Sequence, residues 1–262
     1  MSTLGYILLF TFIGSIAALI GGVILLSKEK FALKTSHFLA SFAAGILLGS
    51  AFFDLLPEAV QKAASNAASA EELDINVHLW ALIGIVLFFL IERFIHWFHH
   101  HEEYHGHEKE SKSIVSLIVI GDTAHNFIDG IVIAATFLVS IPLGIATTIA
   151  VAAHEIPQEI GDIGLLLHKG LPRKKVLLVN IVSASFAFLG AIITYLLGSV
   201  LENYIPILLA LTAGFFIYIA ASDLIPEIHY EKRQGFAIIE SMLLLLGIIV
   251  IFISTSLLEQ GP

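Results

Sequence analysis

Residues 141–167 read IPLGIATTIAVAAHEIPQEIGDIGLLL, an apolar stretch whose centre carries His154, Glu155, Gln158, Glu159 and Asp162. About 20 apolar residues suffice to cross a bilayer as a helix, so the stretch predicts a membrane span. Ionisable groups at that depth are costly and usually line an ion or substrate path. The preceding stretch is similar, because His125-Asn126-Phe127-Ile128-Asp129-Gly130 lies inside residues 113–139. Together the two stretches predict a divalent-metal site halfway across a membrane.

Apolar segments of spanning length recur along the whole chain. The eight predicted spans are residues 4–26, 35–56, 78–98, 113–139, 141–167, 175–200, 205–226 and 235–258. Only 13% of the 262 residues are charged, against about 25% in soluble domains. We therefore expect an all-α integral membrane protein, with residues 1–262 forming one transmembrane domain. The absence of cysteine excludes disulfides and thiolate metal sites.

Basic residues indicate the orientation. Lys62 lies alone on one side, whereas the first, third, fifth and seventh connections carry the other twelve lysines and arginines: Lys28, Lys30, Lys34, Arg93, Lys109, Lys112, Lys169, Arg173, Lys174, Lys175, Lys232 and Arg233. The positive-inside rule places those connections in the cytoplasm. An even number of spans then puts both termini outside. We expect a multi-pass protein of the cell membrane, the inner membrane if the source is bacterial.

A short motif occurs twice. Asp54-Leu55-Leu56-Pro57-Glu58 ends the second span and Asp223-Leu224-Ile225-Pro226-Glu227 ends the seventh. These spans run in opposite directions, so the copies lie on opposite membrane faces, as in transporters with inverted-topology repeats. The spans are therefore expected in a 3+2+3 inverted-repeat arrangement.

Helical geometry, at about 100° per residue, gives each central span one polar stripe. The stripe on the fourth span consists of Asp122, His125, Asn126 and Asp129, and that on the fifth of His154, Glu155, Gln158, Glu159 and Asp162. One buried histidine alone would fit a structural role, but nine polar residues in two facing stripes favour a functional site. Imidazole and carboxylate ligands suit Zn²⁺, and also Fe²⁺ or Mn²⁺.

We expect His125, Asp129 and His154 to form the core of the site. Glu155 and Gln158 would complete it, and Asn126 would add a carbonyl oxygen. Two neighbouring glycines, Gly130 and Gly161, are expected to allow close helix approach.

Other carboxylates suggest a route to and from the site. Asp54 and Glu58 are expected toward the outer face, and Asp223 and Glu227 toward the inner one. On the cytoplasmic halves of the central spans, a ladder could lead inward through Asp122, Glu159 and Asp162. Asp54 and Asp223 could alternatively cap helices.

The connection at residues 99–112 is rich in histidine: it contains His99, His100, His101, His105 and His107 among several glutamates. Such a tract is too polar to pack a core and can bind metals weakly. We interpret it as a cytoplasmic metal trap or sensor, the alternative being a solvated linker.

The two central motifs resemble the paired signature of the ZIP (Zrt/Irt-like) metal transporters, and most of all the subfamily with a histidine-rich cytoplasmic loop. The resemblance implies metal transport into the cytoplasm, with spans 1, 4, 5 and 6 sliding against spans 2, 3, 7 and 8, and often a homodimer. It implies one metal position at His125, Asp129, His154 and Gln158, and a second at Asn126, Asp129, Glu155 and Gln158. The partners are the lipid bilayer and the metal substrate, zinc or else iron, manganese or cadmium, and no nucleic acid.

Two other classes of function compete with transport. An intramembrane zinc-dependent hydrolase could start from His154-Glu155, but position 158 is glutamine where the zincin motif needs histidine, so we expect no enzyme. A metal-gated receptor without flux would fit the same ligands. The polar stripes continue past the site toward the cytoplasm, which favours transport.

Overall fold

The computed structural model describes residues 1–68, 75–100, 107–229 and 236–258, and within these ranges all regular structure is helical. The elements are α1 (Thr3–Ser27), α2 (Glu29–Gly49), a first π-helical segment (Ser50–Leu55), α3 (Leu56–Ala68), α4 (Val77–His100), α5 (His107–Val139), α6 (Ile141–His168), α7 (Arg173–Leu196), α8 (Gly198–Leu201), a 3-10 turn (Glu202–Tyr204), α9 (Ile205–Tyr218), a second π-helical segment (Ile219–Leu224), α10 (Ile225–His229) and α11 (Phe236–Leu258).

These elements form the eight expected spans. Span 2 comprises α2, the first π segment and α3; span 7 runs from α8 to α10; and spans 1, 3, 4, 5, 6 and 8 are α1, α4, α5, α6, α7 and α11. Seven of the spans in the described ranges are long and apolar enough to cross a membrane. The eighth, α6, has 28 residues, but its polar stripe lowers its mean hydropathy. The prediction of an all-α multi-pass fold is confirmed.

The predicted loop at residues 99–112 is shorter than expected. Helix α4 continues through His100 and α5 begins at His107, so both ends of this segment are helical. Glutamate and lysine, which dominate residues 108–112, are good helix formers and carry α5 beyond the apolar region. Residues 101–106, with His101 and His105, lie outside the described residues.

Packing supports the inverted repeat. The most extensively packed pairs are spans 4 and 6, 2 and 8, 1 and 5, and 3 and 7. The inverted repeat relates span 1 to span 6, span 2 to 7, span 3 to 8 and span 4 to 5. Under this relation the packed pair of spans 4 and 6 corresponds to the pair of spans 5 and 1, and the pair of spans 2 and 8 corresponds to the pair of spans 7 and 3. Each of these four pairs lies within one of two sets, spans 1, 4, 5 and 6 or spans 2, 3, 7 and 8, and the two sets meet where α2 packs against α6.

The π segments fall at equivalent places in this repeat. Each ends with the Asp-Leu of the repeated motif, Asp54-Leu55 in span 2 and Asp223-Leu224 in span 7. π-Helical turns inside α-helices frequently mark functional sites. Nothing in the hydrophobic pattern predicted them.

Candidate metal centre

A tight hairpin sets the depth of the central residues. Helices α5 and α6 are separated by Ser140 alone, whose extended backbone ends one helix and whose Oγ accepts a hydrogen bond from Leu143 N at 3.3 Å, capping the next. His125 lies 15 residues before this serine and His154 lies 14 after it. At 1.5 Å per residue both histidines are about 21–23 Å from the turn, and they therefore meet.

Four side chains converge at that depth. The Nε2 atoms of His125 and His154 lie 3.0 Å apart. Asp129 Oδ2 is 3.8 Å from His125 Nε2 and 3.7 Å from His154 Nε2, and Glu155 Oε1 is 3.4 and 3.9 Å from the same two atoms. One ligand atom from each residue lies within 4.8 Å of those of the other three. We call these four residues the quartet.

Hydrogen bonding orients His154 for metal binding. Its Nδ1 lies 3.0 Å from the carbonyl oxygen of Ala150, and since a carbonyl only accepts, Nδ1 carries the proton. The lone pair is then on Nε2, which faces the quartet, an arrangement usual for metal-binding histidines. The edge-on contact of Phe88 with His125, with ring centroids 5.6 Å apart, positions the other imidazole.

Three carboxylate oxygens of the quartet have no hydrogen-bond donor among the described residues. Asp129 Oδ2 and both oxygens of Glu155 are buried without a hydrogen-bond partner among the described residues. Buried carboxylates need a compensating charge or hydrogen bond. Two nitrogens bound to one tetrahedral zinc at 2.0–2.1 Å lie roughly 3.3 Å apart. The quartet's spacing therefore suits one small divalent cation.

The two predicted amide ligands lie at the edge of the quartet. Asn126 Nδ2 donates to the backbone oxygen of Asp122 at 3.1 Å and to its Oδ1 at 2.8 Å, and lies 3.5 Å from Ser183 Oγ. The Asn126 amide is thus held by its own helix and by span 6. Gln158 is half-buried and lines a cavity next to His125.

That cavity has a volume of about 580 Å³, and His125 is the member of the quartet that lines it. Its polar lining consists of His125, Gln158, Asp122, Asp162, Asp223 and Glu92. These residues lie on the halves of spans 3, 4, 5 and 7 that lead to the third, fifth and seventh connections, the side predicted to be cytoplasmic. The cavity therefore extends from His125 toward that side of the molecule.

Glu159 faces a different neighbour from the other two residues of the predicted ladder. It is 1% exposed and accepts a hydrogen bond from Asn180 Nδ2 of span 6, whereas Asp122 and Asp162 line the cavity. The fifth-span stripe is about 140° wide, so its residues face different neighbours. Glu159 lies at the interface between spans 5 and 6.

The carboxylates expected at the outer end are held by local partners. Asp54 Oδ1 accepts a hydrogen bond from Thr255 Oγ1 of span 8, and Glu58 lies 3.9 Å from Lys62 in an ion pair along the helix. Glu227, which was expected at the inner end, lies in α10.

Sequence reasoning missed two polar residues of the cavity region. Glu92 lines the cavity, and its Oε2 accepts a hydrogen bond from Tyr218 Oη at 2.5 Å. An acidic residue within an apolar span was a signal for Glu92. Nothing in the sequence linked Tyr218 to it.

The two glycines behave differently. A Cβ on Gly130 would lie 1.9 Å from the backbone oxygen of Ala187, so α5 and α7 can approach only because this residue is glycine. A Cβ on Gly161 would meet nothing within 4 Å. The expectation for Gly161 was wrong, because this residue lines the cavity and contacts no neighbouring helix there.

The family model described as "ZIP Zinc transporter" matches residues 2–255. The chain belongs to the ZIP family. This ZIP protein is 35% identical to human zinc transporter ZIP6 over 158 residues, which cover 56% of this chain and 21% of that protein. It is 33% identical to ZIP13 of Pongo abelii over 220 residues, 81% of this chain and 64% of that protein.

A third relative, mouse ZIP4, is 40% identical over 125 residues, 48% of this chain and 19% of that protein. The matched part of the chain thus spans less than two thirds of the length of these relatives. Membership of a transporter family agrees with the prediction that this ZIP protein is not an enzyme.

Proposed function

We propose that this ZIP protein moves a divalent metal ion, in the first place zinc, across the membrane into the cytoplasm. The observation that carries the proposal is the buried quartet beside a cavity of about 580 Å³, which one of its members, His125, lines. A site buried between helices and reached from one side fits one state of an alternating-access cycle. Two of the relatives, ZIP6 and ZIP13, are named as zinc transporters.

The quartet supplies the main ligands in this proposal: His125, Asp129, His154 and Glu155. Two imidazoles and two carboxylates suit Zn²⁺, and without thiolates the ion is not held too tightly for release. Fe²⁺, Mn²⁺ and Cd²⁺ are the competing substrates. Gln158 and Asn126 would contribute amide oxygens as the cycle rearranges the edges of the quartet.

Asp122, Asp162 and Asp223 would guide the released ion along the cavity. Their carboxylates lie between the quartet and the side where the connections are rich in lysine and arginine. Glu159, Glu58 and Glu227 remain proposed pathway residues on the strength of their place in the sequence alone.

The arrangement in the membrane is part of the proposal. Twelve of the 13 basic residues lie on one side of the predicted spans, which supports a cytoplasmic location for that side and both termini outside. The cell membrane, the homodimer and the division into two sliding groups of spans follow from the resemblance. The four most extensively packed pairs of spans, 4 with 6, 2 with 8, 1 with 5 and 3 with 7, are compatible with that division.

The histidine tract supports a place in the subfamily with a histidine-rich loop. Replacing His99, His100, His101, His105 and His107 by glutamine should change the apparent affinity for metal while transport continues. Substitution is preferable to deletion, because α4 and α5 extend into this segment. Complete loss of transport in the folded variant would contradict a trapping or sensing role.

Metal flux into proteoliposomes tests the main proposal. Uptake of Zn²⁺, Fe²⁺, Mn²⁺ and Cd²⁺ would be compared for the native chain, His154→Ala and His168→Ala. His168 is an exposed residue at the end of the same helix, so its variant should transport normally while His154→Ala should not.

Saturable metal binding by folded native protein without uptake of any metal would refute transport and favour a receptor. Equal uptake by native protein and His154→Ala would leave transport standing but remove the quartet from its path.

A further inference from the structure

Spans 2 and 7 repeat each other in a fixed register. Asp54 and Asp223 begin the same motif, so a residue of span 7 lies 169 positions after its counterpart in span 2. The same offset converts the first π segment, Ser50–Leu55, into the second, Ile219–Leu224. Two independent features, sequence and backbone shape, thus give one register.

Close helix contacts extend the register to spans 3 and 8. A Cβ on Gly45 of span 2 would lie 2.0 Å from the backbone oxygen of Leu244 in span 8. A Cβ on Gly214, which is 169 positions later, would lie 2.2 Å from the backbone oxygen of Ala81 in span 3. Span 8 is therefore related to span 3 by an offset of 163 positions.

The reciprocal contacts give the same result. A Cβ on Gly84 would lie 2.5 Å from the backbone oxygen of Leu211, and a Cβ on Gly247 would lie 2.4 Å from that of Phe42. Gly247 follows Gly84 by 163 positions and Leu211 follows Phe42 by 169. The pair of spans 2 and 8 thus repeats the pair of spans 7 and 3 residue by residue.

This register assigns a counterpart to each cavity residue of spans 3 and 7. The cavity residues are Phe88, Ile91, Glu92, Ile219, Asp223 and Leu224. Their counterparts, in the same order, are Ile251, Ser254, Thr255, Ser50, Asp54 and Leu55.

Three of the six counterparts are buried in this structure, and Asp54, Ser254 and Thr255 are partly exposed. Ser50, Leu55 and Ile251 are at most 2% exposed, and Thr255 Oγ1 donates a hydrogen bond to Asp54 Oδ1. Span 2 packs closely against α6 there, whereas the second π segment lines the cavity on the other side.

We propose that these six counterparts line a second vestibule when the molecule opens outward, and that Asp54 and Thr255 form an oxygen-only station there that captures the divalent cation before the quartet. The proposal rests on the transport function proposed above. Inverted repeats let a transporter exchange the conformations of its two halves, which opens one side as the other closes.

Thr255 determines the strength of this station. Its counterpart is Glu92, so spans 3 and 7 supply two carboxylates to the existing cavity, Glu92 and Asp223, whereas spans 2 and 8 supply one carboxylate and one hydroxyl. Hard divalent cations bind more tightly as carboxylate ligands are added. The Asp54–Thr255 station should therefore bind the cation more weakly than the Glu92–Asp223 pair does, and residue 255 determines its affinity.

Cysteine accessibility tests the vestibule, since the native chain contains no cysteine. Ser50→Cys and Ser41→Cys place single thiols in span 2, where both native serines are at most 1% exposed. Ser41 is the matched control, because its counterpart Ala210 does not line the cavity. A membrane-impermeant maleimide would be added to right-side-out and to inverted vesicles, and zinc uptake would be recorded in parallel.

The proposal expects Ser50→Cys to react from the outer side at least tenfold faster than Ser41→Cys. Equal slow reaction of both thiols, in protein that still transports zinc, would overturn the vestibule and leave the transport function intact. Fast reaction of Ser50→Cys in protein that moves no metal would support the vestibule and refute transport.

Zinc uptake kinetics test the station itself. Thr255→Val removes the hydroxyl and should raise KM for external zinc several-fold with kcat unchanged. Thr255→Ser keeps a hydroxyl and should have the native KM. Thr255→Glu adds a carboxylate and should lower KM below the native value. A structural role would instead reduce the amount of folded protein or kcat in the valine variant. Equal KM values for the native, valine and glutamate proteins would overturn the assignment.

Discussion

Replacing Gly130 by alanine tests how closely α5 must approach α7. The new Cβ would lie 1.9 Å from the backbone oxygen of Ala187. Because Cβ contacts below 3.0 Å do not occur, the two backbones must separate by at least 1.1 Å. A backbone cannot turn aside as a flexible side chain can.

The cost follows from this forced separation. Overpacking a well-packed interior typically costs about 1–3 kcal/mol, and the rigid backbone contact here places Gly130→Ala at the upper end. At about 2–4 °C per kcal/mol for chains of this size, Tm should fall by about 6–12 °C. Asp129 is the adjacent residue and its carboxylate is 3.7–3.8 Å from both imidazoles, so zinc affinity should fall too.

Thermal unfolding of the purified protein in detergent, with and without zinc, measures both effects. Gly161→Ala is the matched control, since it makes the same change in the neighbouring central helix, where a Cβ meets nothing within 4 Å. Alanine is favoured over glycine within a helix by about 0.5–1 kcal/mol, so this variant should be as stable as the native protein or slightly more stable.

An unchanged Tm for Gly130→Ala would show that the two helices have room to separate, and would refute the argument that glycine sets their distance. A large loss in Gly161→Ala would likewise show that the open space beside α6 is closed in solution.

Further substitutions address single interactions. Asn180→Ala removes the hydrogen-bond donor of the buried Glu159 carboxylate and should lower the free energy of unfolding by about 1–3 kcal/mol; the double variant with Glu159→Gln should recover part of that loss, measured by denaturation. Tyr218→Phe removes the hydroxyl bonded to Glu92 and should cost about 1 kcal/mol, while calorimetry with zinc should show native affinity at the quartet. Lys62→Ala breaks an exposed ion pair worth about 0–1 kcal/mol, so a Tm shift of more than a few degrees would contradict a merely superficial role.

The quartet was predictable because its signal is local. The 3.6-residue period places His125 and Asp129 on one face of a helix, and the equal distances of His125 and His154 from Ser140 bring two such faces to one depth. Polar residues on an otherwise apolar helix have little other reason to occur there. The number of spans followed from length and hydrophobicity in the same way.

The features that the sequence did not reveal depend on neighbours that are distant along the chain. Glu159 turns toward Asn180 rather than toward the cavity, and the space around Gly161 is set by helices that the stripe does not reveal. The π segments were also invisible, since Ser50–Leu55 and Ile219–Leu224 have ordinary apolar composition and only the repeated Asp-Leu hinted at a shared shape.

The polarity of α6 has a consequence for how the protein enters the membrane. Charged residues such as aspartate near the centre of an inserting helix cost about 2.5–3.5 kcal/mol each, and α6 carries Glu155, Glu159 and Asp162 in its second half. Released singly into lipid during synthesis, α6 would be a poor span. Its one-residue link to α5 and its packing against α1 place it beside two spans that precede it in the chain, so we expect α6 to enter the bilayer together with them and not alone.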